Sequence, residues 1–249
     1  MNSQKLIEAL IEKEYKKSKI KEIANEFGLK KSDLEKFYDR TFFLDIAREI
    51  DLKELSEMNL QRIEENIPNE KKKKFQFIKT KLKHIIEKSL YIAMTNGFPV
   101  NINNIESGVM TANAGDSAEF IFVARAILAG FNCSSVDVRS SRYDAIIDYS
   151  NKLLRVQIKG ISTGNSISFK DRDRGGQGID HKHETNLGQR ITSKDCDIYV
   201  AVDKQVGICY IIPMSFADKL SNEECKRINL NRIEKYKENW NIIKEETKK

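Results

Sequence analysis

The chain has 249 residues, 40% of them hydrophobic, which is enough to bury one large core or two smaller ones. Its four cysteines are widely spaced and form no CxxC pair, which argues against a zinc knuckle or a disulfide framework. No apolar run approaches the length of a membrane span, and the amino terminus lacks the apolar core of a signal peptide, so we expect a cytoplasmic protein. The net charge of +6 is compatible with a polyanionic partner.

Residues 1–96 are rich in Lys, Glu and Leu and predict a helical domain. Within it, Ile20, Ile23 and Phe27 share one face of a helix. Gly28 then permits a tight turn, and a capping box at residues 32–35 begins a second helix. Two helices joined in this way resemble a helix-turn-helix, the module whose second helix enters the major groove of DNA.

The basic residues of this helix pair are candidate DNA contacts: Lys30, Lys31, Lys36 and Arg40. The second helix also carries Asp33, Glu35 and Asp39, a poor charge balance for a groove lined by phosphates. Helix pairs of this kind also serve as dimer surfaces or as scaffolding. DNA contact is the favoured interpretation of this domain, and a dimer surface or scaffolding is the alternative.

A helical pattern runs from residue 42 to residue 67 and ends near Pro68. The next segment carries lysines opposite an apolar face: Lys71, Lys72, Lys73, Lys74, Lys79, Lys81, Lys83 and Lys88. Such a helix predicts a surface that follows a phosphate backbone, although most lysine runs are simply solvated. The sequence Asn-Gly-Phe-Pro at residues 96–99 predicts a turn, and we place a domain boundary there, with a second domain at residues 97–249.

Another helical pattern precedes the most informative stretch of the chain. Its apolar residues recur at helical spacing before Gly130: Phe120, Val123, Ala124, Ile127 and Leu128. The pair Gly115-Asp116 predicts where this helix begins. Glu119 lies one turn before Phe122, so we expect it to project from the packed side, where an unpaired carboxylate costs on the order of several kcal/mol. A metal ion is one partner that would offset this cost.

Two strand-like runs and the turn between them follow: residues 143–149, Ser150-Asn151 and residues 153–161. Side chains alternate between the two faces of a strand, so Gln157 and Lys159 share one face of the second run. Across a hairpin, Asp144 can lie on that same face. The stretch therefore predicts a helix followed by a β-hairpin that gathers polar side chains.

Two acids, an amide and a lysine around one hairpin suit the hydrolysis of phosphodiesters. Carboxylate oxygens hold Mg²⁺, which lowers the pKa of a bound water and polarises the phosphate. The amide oxygen of Gln157 is a neutral ligand, and the Lys159 ammonium can orient the water or offset charge on the phosphate oxygens. The alternative is an amphipathic hairpin with a solvated polar face, which any one of these residues alone would indicate.

The set Glu119, Arg142-Tyr143-Asp144 and Arg155-Val156-Gln157-Ile158-Lys159 resembles the active site of the PD-(D/E)XK nuclease superfamily. Its Q-x-K ending resembles the branch that contains group I intron homing endonucleases, and this ending also occurs in type II restriction enzymes and junction resolvases. The resemblance implies a mixed β-sheet flanked by helices, a Mg²⁺ cofactor for which Mn²⁺ can substitute, and a duplex DNA substrate.

The resemblance also implies a role for each residue. Glu119, Asp144 and Gln157 would bind the metal. Ile158 would belong to the same metal site, and Lys159 would assist catalysis. The sequence departs from the family pattern because no proline precedes Asp144 and because Gln157 replaces the usual acid. The second departure leaves fewer charges to hold a metal, which is compatible with a single metal ion or with weaker metal binding.

After residue 161 the chain becomes polar, basic and rich in glycine. Basic residues on both sides of this segment and within it are candidate DNA contacts: Arg142, Lys170, Arg172, Arg174, His181, Lys182, His183 and Arg190. His181 and His183 have the spacing of a metal pair, but no cysteine or third histidine lies near in the sequence, so zinc is not expected. A basic loop beside a nuclease hairpin predicts a DNA clamp, and an ordinary surface loop is the alternative.

Residues 197–202 and 207–213 predict two further strands that complete the sheet. Helices are predicted near residues 216–220 and 233–244, and Trp240 in the second is expected to anchor packing rather than to stack on a base. The predicted fold is α+β: a helical domain with a helix-turn-helix-like pair, then a mixed sheet of four or five strands flanked by helices.

The function that the sequence predicts is sequence-specific, metal-dependent cleavage of double-stranded DNA by a type II restriction endonuclease. The added helical domain favours restriction over homing, because the small homing members of the superfamily resemble only the catalytic half of this chain. A homing endonuclease and a Holliday junction resolvase are alternatives, and a non-catalytic helix-turn-helix regulator is the alternative from another class. One site cuts one strand, so double-strand cleavage predicts a homodimer or a higher homo-oligomer.

Overall fold

The computed structural model of the protein describes residues 3–13, 19–32, 34, 51–95, 97–103, 105–137, 141–161, 166–171 and 188–249. The chain divides into two units, Met1–Ile105 and Glu106–Lys249, each with a cluster of buried apolar residues. Across the described ranges, no helix combines the length and the apolar character needed to cross a membrane.

The first unit is helical where it is described. Its helices are α1 (Ser3–Glu12), α2 (Ile20–Glu26), α3 (Leu52–Asn66) and α4 (Asn69–Met94). Apolar side chains of α1 and α2 are buried together with Leu34, which lies in the chain beyond α2. Gly28 has a φ of +66°, so the chain turns after α2 as predicted. Most of the predicted second helix, including Lys36 and Arg40, lies outside the described residues.

Helices α3 and α4 pack against each other, with Pro68 between them as predicted. The Asp51 side chain caps α3 by accepting hydrogen bonds from the amides of Lys53 (2.9 Å) and Glu54 (3.1 Å). Two lysines of α4, which we call the paired lysines, form ion pairs with glutamates of α3: Lys79 with Glu64, and Lys83 with Glu57. Five other lysines of α4 are exposed, and we call three of them, Lys74, Lys81 and Lys88, the outer lysines.

The second unit is a β-sheet with helices packed on it. Its elements in chain order are α5 (Ser107–Leu128), β1 (Asn132–Ser135), β2 (Ala145–Tyr149), β3 (Lys152–Ile161), β4 (Ser166–Ile167), β5 (Lys170–Asp171), β6 (Gln189–Arg190), β7 (Ile198–Asp203), β8 (Ile208–Pro213), α6 (Met214–Ala217), a 3₁₀ turn (Glu224–Lys226), β9 (Ile228–Asn229), a 3₁₀ helix (Leu230–Tyr236) and α7 (Asn241–Glu246).

The main sheet has five strands in the order β1-β2-β3-β7-β8. Strands β3 and β7 are parallel, and the other neighbours are antiparallel. Strand β7 is buried along nearly its whole length, as expected of an apolar strand in the interior of a sheet. This architecture confirms the predicted α+β class with a mixed sheet flanked by helices.

The predicted hairpin is formed by β2 and β3. Ser150 and Asn151 have φ values of +52° and +61°, the left-handed pair of a type I′ turn, whose twist matches that of the strands. The register pairs Ala145 with Val156, which fixes Asp144 one residue before the paired region. Residues 156–158 are all buried, so both faces of β3 are covered there and Gln157 does not lie on a solvated surface.

The helix before the hairpin is longer than predicted. It begins at Ser107, not at Gly115-Asp116. Small and helix-compatible residues fill positions 107–114, and a glycine inside a helix costs only about 1 kcal/mol, so the helix continues through Gly115. The predicted start was wrong because Gly115-Asp116 was interpreted as a helix entry.

The packed face of α5 also differs from the prediction. Ala118, Phe122 and Ala126 are buried, whereas Phe120 and Leu128 are 66% and 83% exposed. Apolar residues occur all round this helix, so spacing alone did not identify the packed side. The buried alanines let the helix approach the sheet closely: the Cβ of Ala118 lies 3.2 Å from the position that a Cβ on Gly160 would occupy.

The helix predicted at residues 233–244 is interrupted. The chain turns at Glu238, which has a φ of +53°, between the 3₁₀ helix and α7. The Glu238 carboxylate accepts a hydrogen bond from the amide of Cys209 (2.8 Å), which ties this turn to β8. Trp240 stacks on Phe122 with ring centroids 6.1 Å apart, so it anchors packing as predicted.

Candidate active site

The carboxylate of Asp144 is held by strand β3. Its Oδ2 atom accepts a hydrogen bond from Nε2 of Gln157 (2.6 Å) and another from the main-chain amide of Ile158 (2.7 Å). The Asp144 amide donates to the carbonyl oxygen of Val156 (2.8 Å), which continues the hairpin ladder. The strand pairing therefore fixes both the position of Asp144 and the direction of its carboxylate.

The side chain of Gln157 is 5% exposed, and its two polar atoms have different surroundings. Its Nε2 atom donates a hydrogen bond to Asp144, whereas its Oε1 atom is buried and has no hydrogen-bond partner among the described residues. An unsatisfied buried acceptor costs about 1–3 kcal/mol. A cation at this oxygen would remove that cost, so the amide fits the neutral metal ligand that the sequence predicts.

Lys159 lies two residues further along β3, on the same face as Gln157. Its ammonium nitrogen is 3.4 Å from Oδ1 of Asp171, and both side chains are about a third exposed (32% and 29%). Asp171 ends the short strand β5 and pairs with Gln189 of β6. Asp171 is not among the residues predicted for the site, because it lies in a mixed run of acids and bases with no strand pattern.

Glu119 lies on α5, half-buried, directly after Ala118. Ala118 is the α5 residue that closely approaches Gly160, the residue after Lys159. The helix therefore brings the backbone of Glu119 near the end of β3 that carries Lys159. The predicted metal ligands Glu119, Asp144 and Gln157 thus come from three neighbouring elements of one unit.

Tyr199 lies on the neighbouring strand β7, where it is paired in register with Gln157. Its hydroxyl donates a hydrogen bond to the carbonyl oxygen of Ser168 (2.7 Å). Burial raises the pKa of the Tyr199 hydroxyl well above its ordinary value, and the negative charges of Asp171 and Asp144 contribute to the increase. The two carboxylates contact neighbouring side chains of β3: Asp171 pairs with Lys159, and Asp144 accepts a hydrogen bond from Gln157.

The residues that could hold a metal are oxygen donors. Among the residues that the structure describes, no three His, Cys, Asp or Glu side chains cluster as metal ligands. The ligand set would therefore combine the carboxylates of Glu119 and Asp144 with the Gln157 amide oxygen. Ile158 has an apolar side chain, so only its carbonyl oxygen can serve. Oxygen donors of this kind suit Mg²⁺ or Mn²⁺.

The cysteines do not supply a nucleophile. Burial raises the pKa of all four cysteine thiols, that of Cys133 to about 11 and those of Cys196 and Cys209 to about 12. Thiols with such pKa values remain protonated at neutral pH and react poorly.

Two of the candidate DNA contacts are already bound within the protein. Arg142 pairs with Asp195 (2.9 Å), and Arg190 donates hydrogen bonds to the carbonyl oxygens of Ala217 (2.9 Å) and Asp218 (3.1 Å). Lys170, Lys30 and Lys31 have side chains that reach solvent. The other candidates lie outside the described residues: Lys36, Arg40, Arg172, Arg174, His181, Lys182 and His183.

The fold and this site define a class of protein: a nuclease built on a mixed sheet, with acid, amide and lysine side chains on its central hairpin. A family model described as PD-(D/E)XK endonuclease matches residues 109–243, more than half of the chain. The chain therefore belongs to the PD-(D/E)XK endonuclease family, and the resemblance identified from the sequence is confirmed.

One solved structure that is similar is that of I-Ssp6803I, a bacterial homing endonuclease. It is 22% identical, with a TM-score of 0.43, and the match covers 53% of this chain and 92% of the other. No curated protein matches the chain in sequence.

Proposed function

We propose that this protein is a sequence-specific, Mg²⁺-dependent endonuclease that hydrolyses double-stranded DNA, and that it acts as a type II restriction endonuclease. The observation that carries the metal-dependent part is the buried Oε1 of Gln157, which has no hydrogen-bond partner among the described residues and lies beside the fixed carboxylate of Asp144. A cation site next to a lysine, in a unit of an endonuclease family, is suited to phosphodiester hydrolysis.

The chain's own residues have separate tasks in this proposal. A bound Mg²⁺ would lower the pKa of a water molecule that it holds and would neutralise charge on the phosphate. Asp144 and Glu119 contribute negative charge to hold the cation, and the hydrogen bonds from β3 keep Asp144 oriented. Lys159 places an ammonium on the same face, where it orients the attacking water or stabilises the charge that develops on the phosphate oxygens.

The helical unit supports the restriction role. It lies outside the segment that the family model matches, so it is an addition to the catalytic unit. Its exposed outer lysines provide positive charge for phosphate contacts. Residues 20–40 carry the helix-turn-helix-like pattern, in which Lys36 and Arg40 would read bases. Cleavage of both strands requires two copies of the single site, so the active form is proposed to be a homodimer or a higher homo-oligomer.

The test is to incubate the purified chain with a library of random duplex DNA and with a four-way junction, with Mg²⁺ and with a chelator. Double-strand cuts at a recurring sequence, in Mg²⁺ only, support the proposal. Cleavage confined to the junction indicates a resolvase, and cleavage at one long site with tolerance of mismatches indicates homing. Binding to DNA without any cleavage in Mg²⁺ contradicts the enzymatic proposal and indicates a regulator.

A further inference from the structure

Asp171 forms an ion pair with the catalytic lysine, although neither its position in the sequence nor the family pattern marks it. Its Oδ1 atom is 3.4 Å from Nζ of Lys159, twelve residues earlier in the chain. A lysine ammonium has three N–H donors. One directed at Asp171 leaves two for a water or a phosphate oxygen, so this contact restrains Lys159 without occupying it fully.

The strand that carries Asp171 is itself firmly held. Phe169, two residues earlier, is completely buried, and its amide donates to the carbonyl oxygen of Cys225 (2.8 Å). The amide of Ile191 donates to the carbonyl oxygen of Phe169 (3.0 Å), and Asp171 pairs with Gln189 in the β5–β6 ladder. A carboxylate on such a backbone is a fixed reference point, as is needed to hold a flexible lysine side chain in place.

The charges around Lys159 also indicate a role for Asp171. This chain has the neutral Gln157 where its family usually has an acid, so the second strand of the hairpin contributes Lys159 without an acidic neighbour two residues before it. Asp171 returns one negative charge to this face from a different strand pair. Asp171 contacts Lys159, and Asp144 contacts Gln157, which shares that face of β3 with Lys159.

We propose that Asp171 is a positioning residue for catalysis: its carboxylate holds the Lys159 ammonium on the side of β3 where Asp144 and Gln157 lie. This inference rests on the proposed nuclease function. Because the ion pair is about a third exposed, it contributes little to folding stability. A change at Asp171 is therefore expected to alter the rate of the chemical step and to leave the fold and DNA affinity nearly unchanged.

The experiment compares single-turnover cleavage of a duplex substrate, at saturating protein and Mg²⁺, by the parent chain and by Asp171→Asn, Asp171→Glu and Asp148→Asn. Asp171→Asn removes the charge and keeps the shape, and the rate is expected to fall by about ten- to a hundredfold. Asp171→Glu keeps a carboxylate within reach and should recover most of the rate. Asp148→Asn, the control, removes an exposed charge from β2 opposite Leu153, roughly 20 Å along the strands from Lys159.

DNA affinity and thermal unfolding are measured for each variant. A slower Asp171→Asn that binds DNA normally, unfolds at the parent temperature and is rescued by Asp171→Glu supports the positioning role. An Asp171→Asn rate equal to or faster than that of an active parent overturns it, as does an equal loss in Asp171→Glu. If the parent itself cleaves no DNA, the proposed function fails, a result that differs from either outcome for Asp171.

Discussion

Replacing Gln157 with glutamate tests whether this side chain faces a cation. In the parent, Nε2 of Gln157 donates to Oδ2 of Asp144 at 2.6 Å. The substitution converts that donor into a second carboxylate oxygen in a buried position. Without metal, two carboxylates would then be in contact. With metal, both could act as ligands, and the variant would have the acid that is usual in the family.

An upper limit can be set on the stability that Gln157→Glu loses in the absence of metal. Two carboxylates about 3 Å apart repel by about 5 kcal/mol at an effective dielectric constant of about 20. Protonating one of them relieves the repulsion, and for a glutamic acid of pKa about 4.3 this costs about 3.7 kcal/mol at pH 7. The metal-free variant should therefore lose at most about 4 kcal/mol of unfolding free energy, or roughly 10 °C in melting temperature.

The stability of the metal-free Gln157→Glu variant should depend on pH, because two adjacent carboxylates raise the pKa of the pair. The carboxyl pair in the folded variant has a pKa above that of an unfolded glutamic acid, so the folded state holds its proton more tightly. The loss of stability is therefore absent below the unfolded pKa and grows as the pH rises through the folded pKa. Saturating Mg²⁺ should reverse the loss, and it should raise the melting temperature of the variant more than that of the parent.

The assay is thermal unfolding of the parent, Gln157→Glu and Gln205→Glu, each in chelator and in Mg²⁺. The same change at the exposed Gln205 should shift stability by no more than about 0.5 kcal/mol in either condition. A Gln157→Glu variant as stable as the parent in chelator, with no additional gain from Mg²⁺, would refute the reasoning.

Three further predictions concern packing and DNA contact. Phe122→Ala should destabilise the protein by about 3–5 kcal/mol in denaturant unfolding, whereas Phe120→Ala on the exposed face of α5 should change stability by about 0.5 kcal/mol or less. Changing the outer lysines together to Gln should reduce the magnitude of the slope of log affinity against log salt by about 3, or about 1 per lysine, and changing the paired lysines should reduce it by less than about 1 per lysine, because glutamates of α3 already bind them. Changing Lys36 and Arg40 to Ala should reduce the preference for the cognate site over random duplex in competition binding. An equal reduction per lysine in the two lysine variants, or an unchanged preference for the cognate site, would contradict these contacts.

The hairpin and its polar residues could be predicted because the relevant signals are local. Alternation along residues 153–161 fixed which side chains share a face, and Ser150-Asn151 has the composition of a tight turn. Asp144 and Gln157 lie in contact because antiparallel pairing of adjacent strands follows directly from that turn. Residues close in sequence and joined by a short turn leave few alternatives for their arrangement.

Three other features of the fold and the site depend on contacts between distant parts of the chain, which the sequence pattern does not encode. The packed face of α5 could not be predicted from periodicity, because Phe120 and Phe122 are both apolar. Phe122 is buried and Phe120 is exposed only because the sheet packs on one side of the helix. At the break in the last helix, Glu238 accepts a hydrogen bond from the amide of Cys209 in a strand distant in sequence. Asp171 reaches Lys159 through a separate strand pair, which no alternation in its own short segment predicts.

In the proposed function, Asp144 acts in metal-dependent cleavage and not in DNA binding. The most direct test is single-turnover cleavage of one duplex by the parent and by Asp144→Asn over a range of Mg²⁺ concentrations, with DNA binding measured in parallel in chelator. The rate is expected to fall on the order of a hundredfold or more, while affinity stays within about a factor of three, because the carboxylate acts in the transition state. Cleavage by Asp144→Asn at the parent rate, with the parent dependence on Mg²⁺, would contradict the assignment of this hairpin as the active site.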